Sequence, residues 1–180
     1  MKIYSNRKGF TLLEVVAVLV IMGIITVLAL TRLVSNQNNL IVATDTLTSH
    51  LRLAQARAMN TDAPIVNTFN VWGVCFSSST QYYFFNCANA IGCTPAANQV
   101  SSLGEDSIVN GQYGMDLTKK GVQITNGIPL ILSFDRFGTP YTDAALATPL
   151  AAQLTITLKD NNGNTKTINI TPQTGMIKKG

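Results

Sequence analysis

The stretch from Phe10 to Leu30, FTLLEVVAVLVIMGIITVLAL, constrains this chain more than any other. As a helix rising ~1.5 Å per residue it spans ~31 Å, about the thickness of a bilayer's hydrocarbon core. A cleaved secretory signal carries a shorter apolar region, about 7–15 residues, followed by a small-x-small site; this run is longer, and no clean A-x-A site follows it. Its length and purity do not suit a buried core helix. A single membrane span fits. Lys2, Arg7 and Lys8 precede it with no acid among the first nine positions, which places the N-terminus in the cytoplasm and the bulk of the chain outside.

Composition narrows the function classes. Of 180 residues, 12% are charged and 46% apolar, which excludes a long disordered or polyampholyte chain. His50 is the single histidine, so HExxH zinc sites and His-rich clusters are excluded. The net charge is +4, from 13 basic and 9 acidic residues; with Lys2, Arg7 and Lys8 set aside, ten basic residues face nine acidic ones. The basic character belongs to the N-terminus, and the remainder carries no strong electrostatic case for nucleic acid.

Glu14 breaks the apolar run near its start. A carboxylate in lipid costs a few kcal/mol, roughly, unless it is paired, protonated or close to the headgroups. Two readings stand: Glu14 stays wet at the interface, or it has a cationic partner. A new amino terminus at Phe10, one helical turn away, would supply that charge on this chain or on a neighbour.

The segment Arg7-Lys8-Gly9-Phe10-Thr11-Leu12-Leu13-Glu14-Val15-Val16 resembles the prepilin leader shared by type IV pilins and type II secretion pseudopilins. It has the basic residues, a glycine before the cut, an aromatic first mature residue and the glutamate four residues later. The resemblance implies cleavage after Gly9 by a prepilin peptidase on the cytoplasmic side, N-methylation of Phe10, and assembly of the mature chain into a helical filament. It assigns Glu14 to assembly, neutralising the Phe10 amine of an adjacent subunit.

Helical spacing continues past Leu30. Leu33, Leu40, Thr44, Leu47, Leu51, Ala54 and Ala58 recur mostly three or four apart, which predicts an amphipathic helix ending near Asn60, before Asp62 and Pro64. His50 falls outside the stripe and reads as a solvated surface residue. A helix from Phe10 to Asn60 would be ~76 Å long. No compact domain buries such a helix throughout, so one half belongs to membrane or filament and the other to a globular domain.

From Ala63 onward the pattern is strands and turns. Ile65–Phe76 and Gln81–Asn86 flank a hairpin turn at residues 77–80. Val122–Thr125, Ile128–Phe134, the alternating Leu154, Ile156 and Leu158, and Ile168 with Ile170 are further strands; residues 160–164 (DNNGN) read as a hairpin loop. Asn86–Asp116 and Thr139–Ala152 read as loop-rich. The expected fold is α+β, a long N-terminal helix followed by a small, mostly antiparallel β-domain of pilin-like build. The divisions are a leader at 1–9, a membrane or filament-core helix half at 10–30, an amphipathic half at 31–62 and a periplasmic β-domain at 63–180.

Three further pieces narrow the resemblance. Leu51–Met59 (LRLAQARAM) is similar to the helix end of H-type minor pseudopilins and FimT-type minor pilins. Phe134–Gly138 (FDRFG) resembles the F-x-x-x-G turn of that group, and Ile168–Ile177 (INITPQTGMI) its closing strand. Major pilins often carry a proline where the membrane segment ends; this chain has Thr31 and no proline before Pro64, which leans toward a pseudopilin or minor pilin.

Signals for chemistry are few. Cys75, Cys87 and Cys93 are an odd number, so at least one is free or pairs between chains. Cys87 and Cys93, six apart, are the candidate disulfide, permitted outside the cytoplasm; Cys75, on a strand, reads as a buried thiol. No C-x-x-C occurs, no base stands beside a cysteine, and no P-loop or G-x-S-x-G motif is present. The 160–164 loop lacks the glutamate of an EF-hand, since Thr171 holds that place; Glu105-Asp106 is a minor calcium option. Lys178 and Lys179 read as a solvated tail. DNA-binding FimT-type pilins carry G-R-x-R at the C-terminus, where this chain has Gly175-Met176-Ile177-Lys178.

These signals lead to a non-enzymatic subunit without cofactor or metal. In a type II secretion pseudopilus it would sit near the tip in the inner membrane and periplasm, contacting other pilin or pseudopilin subunits, the prepilin peptidase and secreted cargo. The alternative is a minor type IV pilin in DNA uptake or adhesion; DNA is not expected as a partner of this tail.

Overall fold

A computed structural model describes residues 11–60, 70–88, 93–100, 107–109, 112–126 and 131–180, with the side chains of 29–37, 107–109 and 112–113 outside the description. The chain forms two compact units, Met1–Ser35 and Asn36–Gly180. Helix α1, Leu12–Met59, contributes to both.

Within the second unit, α1 buries Leu40, Ala43, Thr44, Leu47, Thr48, Leu51, Ala54 and Ala58. Their three- and four-residue steps put them on one face. The two buried threonines leave no hydroxyl unpaired: Thr44 Oγ1 donates to the Leu40 carbonyl and Thr48 Oγ1 to the Thr44 carbonyl, each at 2.7 Å. The helix stops at Asn60, whose backbone N–H and side-chain Nδ2 both donate to the Ala56 carbonyl. Arg57 in the last turn complements the negative end of the helix dipole.

The strands are β1 (Val71–Phe76), β2 (Gln81–Cys87), β3 (Gln99–Val100), β4 (Ser107–Val109), β5 (Gln112–Asp116), β6 (Val122–Asn126), β7 (Ile131–Phe134), β8 (Pro140–Tyr141), β9 (Leu154–Asp160), β10 (Thr165–Ile170) and β11 (Ile177–Lys179). One sheet runs β4-β5-β2-β1-β7-β8, with β3 also on β2; the other runs β11-β10-β9-β6. The pairings among described residues are antiparallel. The architecture is therefore α+β, a long helix followed by antiparallel sheets.

Alternation along the strands sorts the core. Val74, Phe76, Tyr82, Phe84, Leu132 and Phe134 from the first sheet, and Ile124, Ile156, Leu158, Ile168, Ile170 and Ile177 from the second, share one apolar cluster with the buried face of α1. Complete burial of a Leu such as Leu47 or Leu51 contributes about 1.5–3 kcal/mol. The opposite face of the first sheet is covered too: Val71, Cys75, Phe85 and Cys87 pack with Ala144. The loop carrying Ala144 is tied down by Asp143, whose Oδ1 accepts from the Ala147 N–H at 3.0 Å and whose Oδ2 accepts from the Thr148 N–H at 2.6 Å. Burial pushes the Asp143 carboxyl up, but the Ala147 and Thr148 donors outweigh it and hold it below the usual carboxylate range.

Several sequence expectations change. The stretch Asn86–Asp116, read as loop, contains β3, β4 and β5; these are short segments whose stability comes from pairing with β2 and with one another. Ile168–Ile177 is not one closing strand: β10 ends at Ile170, the chain turns through Pro172–Gly175, and β11 returns antiparallel. Lys178 and Lys179 are exposed, as the solvated reading expects, but their backbone is paired with β10 as part of β11 rather than left as a loose tail. The expected strand residues 65–69 and 128–130 lie outside the described residues.

Candidate functional site

The first described turn of α1 is built by Thr11 and Glu14. The Glu14 backbone N–H donates to the Thr11 carbonyl at 3.1 Å and to Thr11 Oγ1 at 3.3 Å. Thr11 thus serves as the N-cap, satisfying one of the amides that a helix start leaves open. Thr11 and Glu14 have the spacing of a capping box before an apolar run, a signal present in the sequence that the charge argument alone does not use. Glu14 is exposed in the first turn, where a carboxylate is stabilised by the helix dipole by about 0.3–1 kcal/mol. A free amine at Phe10 would add positive charge to the same positive end of the helix, which is the physical reason an acid belongs there. Gly9 and Phe10 themselves lie outside the described residues.

On both sides of Glu14, every large apolar side chain from Leu12 to Leu28 is exposed, from 49% at Val15 to 83% at Leu12. The hydroxyl of Thr26 is satisfied within the helix, donating to the Met22 carbonyl at 2.7 Å. A helix apolar on all sides needs an apolar environment around it. The described side chains of this run stop at Leu28, and among the described residues no helix is long and apolar enough to cross a membrane.

The other candidate residues play structural parts. Cys87 and Cys93 form a disulfide with a Cα–Cα distance of 5.7 Å, and Cys75 is free and buried. Burial pushes the Cys75 thiol up, only partly opposed by its hydrogen bond with Tyr83, so it is a poor nucleophile. No group of His, Cys, Asp and Glu suited to a metal occurs among the described residues; Glu105 and Asp106 lie outside them. The 160–164 loop is a hairpin turn closed on Asp160. Oδ1 accepts the N–H groups of Asn162 (2.9 Å) and Asn164 (2.8 Å), and Oδ2 accepts Asn164 Nδ2 at 2.8 Å. Burial raises this carboxyl, but the Asn164 side chain and the loop amides outweigh it and hold it below the usual range.

His50 is not a surface histidine. It is half-buried, with Nδ1 3.0 Å from Tyr82 Oη and its ring edge-on to Phe84 at 5.0 Å. The stripe count missed it because an imidazole at the edge of a helix face still reaches a facing sheet.

The three short motifs downstream of the apolar run meet in space. Gln55 Nε2 donates to the Gly138 carbonyl at 3.0 Å and to the Thr174 carbonyl at 3.3 Å, and Arg52 donates to the Ile177 carbonyl at 2.9 Å. Gly138 (φ 79°) and Gly175 (φ 62°) both occupy the left-handed region. A Cβ on Gly175 would run into the Gly138 carbonyl oxygen and the Gln55 amide. Helix end, F-x-x-x-G turn and C-terminal turn are one structural junction. Lys179 of β11 reaches Asp45 of α1 at 2.8 Å, both half-exposed, a surface pair contributing about 0–1 kcal/mol.

Residues 4–30 match the family model described as the prokaryotic N-terminal methylation motif. No curated protein and no solved structure matches the chain.

Proposed function

We propose that this type IV prepilin-like protein is a non-enzymatic minor pseudopilin of a type II secretion pseudopilus, held in the inner membrane before assembly and acting near the filament tip in protein export. The observation carrying this reading is the coincidence of the methylation motif at residues 4–30 with an apolar helix exposed on all sides from Leu12 to Leu28. The motif implies processing by a prepilin peptidase and assembly with other pilin subunits. The apolar run with Lys2, Arg7 and Lys8 on its N-terminal side supports a single span with the β-domain in the periplasm. Thr31 in place of a proline favours a pseudopilin or minor pilin.

Glu14→Ala in the full chain tests the assembly part. Membrane insertion should persist or improve, because a charge is removed from the span. Co-purification with the other filament subunits should fall at least tenfold, equivalent to losing about 1.4 kcal/mol of subunit contact. Undiminished co-purification would count against the charge-pair argument. Deleting the gene separates secretion from piliation: loss of an exported enzyme from the medium supports the pseudopilus, whereas loss of twitching or transformation supports the alternative, a minor type IV pilin in DNA uptake or adhesion.

DNA binding by the C-terminus should be weak. Lysine is a point charge without the planar fork that grips phosphate at two atoms, and Lys179 already faces Asp45. In an anisotropy titration of the chain from Leu33 onward at about physiological salt, we expect no submicromolar affinity. Submicromolar binding lost on Lys178→Ala with Lys179→Ala would promote the DNA-uptake reading.

A further inference from the structure

We propose that the end of the second sheet where β9 turns into β10, beside Leu40 and Ile41 of α1, is a cationic pad that docks on the anionic phosphate headgroups of the bilayer holding the apolar run. The proposal rests on the membrane-held reading above and adds what the Asn36–Gly180 unit touches before assembly. Three pieces of this unit meet there. The β9–β10 hairpin carries Lys159 and Lys166 on either side of its loop. The 3-10 turn Leu117–Lys120 brings Lys119 and Lys120 against that loop: a Cβ on Gly121, which ends the turn, would lie 2.9 Å from Asn161 Nδ2. Helix α1 contributes Leu40 and Ile41, which line a cavity of about 350 Å³ with Asn164, Thr165 and Lys166.

The acids among the described residues here do not cancel the charge. Asp160 is 3% exposed and turned into its own loop, where it accepts the N–H groups of Asn162 and Asn164. Asp116 caps the 3-10 turn, accepting the Thr118 N–H at 2.9 Å. Asp45 is bound to Lys179. Lys119, Lys120, Lys159, Lys166 and Lys179 thus face three aspartates, an excess of two cations; a terminal carboxylate on Gly180 would still leave one. Cross-strand partners share a face of a sheet. Lys166 stands opposite Leu158 and Lys179 opposite Ile168, on the face packed against α1, whereas Lys178 stands opposite Asn169 on the other face.

The chemistry of the surface fits a bilayer. Its apolar member is aliphatic: Ile41 is 45% exposed and lines both the first cavity and a second, of about 210 Å³, that extends to Asp45, Lys166 and Lys179. Neither lining holds an aromatic ring on which a base would stack. An aliphatic side chain among lysines, whose stems let the ammonium groups reach outward, has the composition of a surface at the headgroup boundary. The chain itself keeps that boundary near. Leu40 follows the end of the apolar run at Leu30 by ten residues, which reach ~33–36 Å even when fully extended. Headgroups are therefore concentrated around the pad, and a weak site stays occupied. Each lysine near an anionic surface strengthens the association about fivefold. Leaving the membrane for a filament breaks these contacts, so anionic lipid favours the unassembled subunit.

The test uses the full chain reconstituted in lipid nanodiscs, with a dye on Asn162→Cys in the exposed loop and a quencher on the lipid headgroups; Cys75 is buried and Cys87 is bonded to Cys93, so the dye takes one site. The ratio of quenched to unquenched dye should be at least about fivefold higher in discs containing phosphatidylglycerol than in discs of phosphatidylcholine alone. Raising salt from about 0.1 to about 1 M, which shortens the Debye length from ~10 to ~3 Å, should remove the difference. Lys166→Gln should lower the ratio about fivefold. Lys178→Gln, the same charge change on the other face and ~13 Å along β10 from the loop, should leave it unchanged. Both side chains are exposed, so both variants should melt as the parent does. Equal quenching in the two lipids, equal losses from the two variants, reversal by inorganic phosphate at constant ionic strength, or binding of a DNA duplex without response to phosphatidylglycerol would each overturn the pad while the membrane reading stands. A chain that enters neither kind of disc removes both.

Discussion

Protein recovered from membranes of cells with an active prepilin peptidase should begin at Phe10 with a methylated amine, and no intact Met1 species should accumulate. The effect is all-or-none in an N-terminal mass spectrum. Physical reasoning makes the trimming a condition for assembly. Lys2, Arg7 and Lys8 stand directly before the apolar run, and drawing each cation into an apolar filament interior costs about 2.5–3.5 kcal/mol. Removing the leader removes all three and leaves one amine, beside the carboxylate of Glu14. An intact Met1 start in peptidase-competent cells would sink the reading of residues 4–30 as a processed leader.

Gly175→Val should be the most damaging single substitution at the motif junction. A non-glycine residue in the left-handed region costs roughly 1–2 kcal/mol, and more for a β-branched one. The new Cβ also displaces the Gly138 carbonyl and the Gln55 amide, breaking two hydrogen bonds worth about 1 kcal/mol each. A total of roughly 3–4 kcal/mol corresponds to a fall in Tm on the order of 10 °C for a domain of this size. Gln55→Ala removes the hydrogen bonds without the backbone strain and should cost about half as much. Circular-dichroism melts of the three proteins check the ordering; Gly175→Val melting within a degree of the parent would mean that the turn relaxes freely and the junction holds nothing.

The reach of the sequence differs between the two halves of the chain. The leader, the apolar run, the helix to its end at Met59 and the hairpins at residues 77–80 and 160–164 are written in local terms: charge order, three- and four-residue spacing, and turn residues between alternating runs. Such signals act within a few residues along the chain, so the order of residues suffices to read them. Glu14 was legible as an anomaly for the same reason, because a carboxylate in an apolar run is conspicuous without neighbours. What the fold alone decided is non-local. The strands β3, β4 and β5 are two to five residues long, too short for a periodic signal; β3 and β5 exist because β2 offers a partner, and β4 because β5 does. The split of residues 168–179 into β10 and β11 depends on Pro172 and Gly175 turning the chain back onto its own sheet. His50 meets Tyr82 across 32 positions, and Gln55 meets Gly138 and Thr174 across 83 and 119. These contacts are set by where a helix face lands on a sheet, a quantity that no window of sequence contains, because it depends on packing the whole apolar set of both sheets at once.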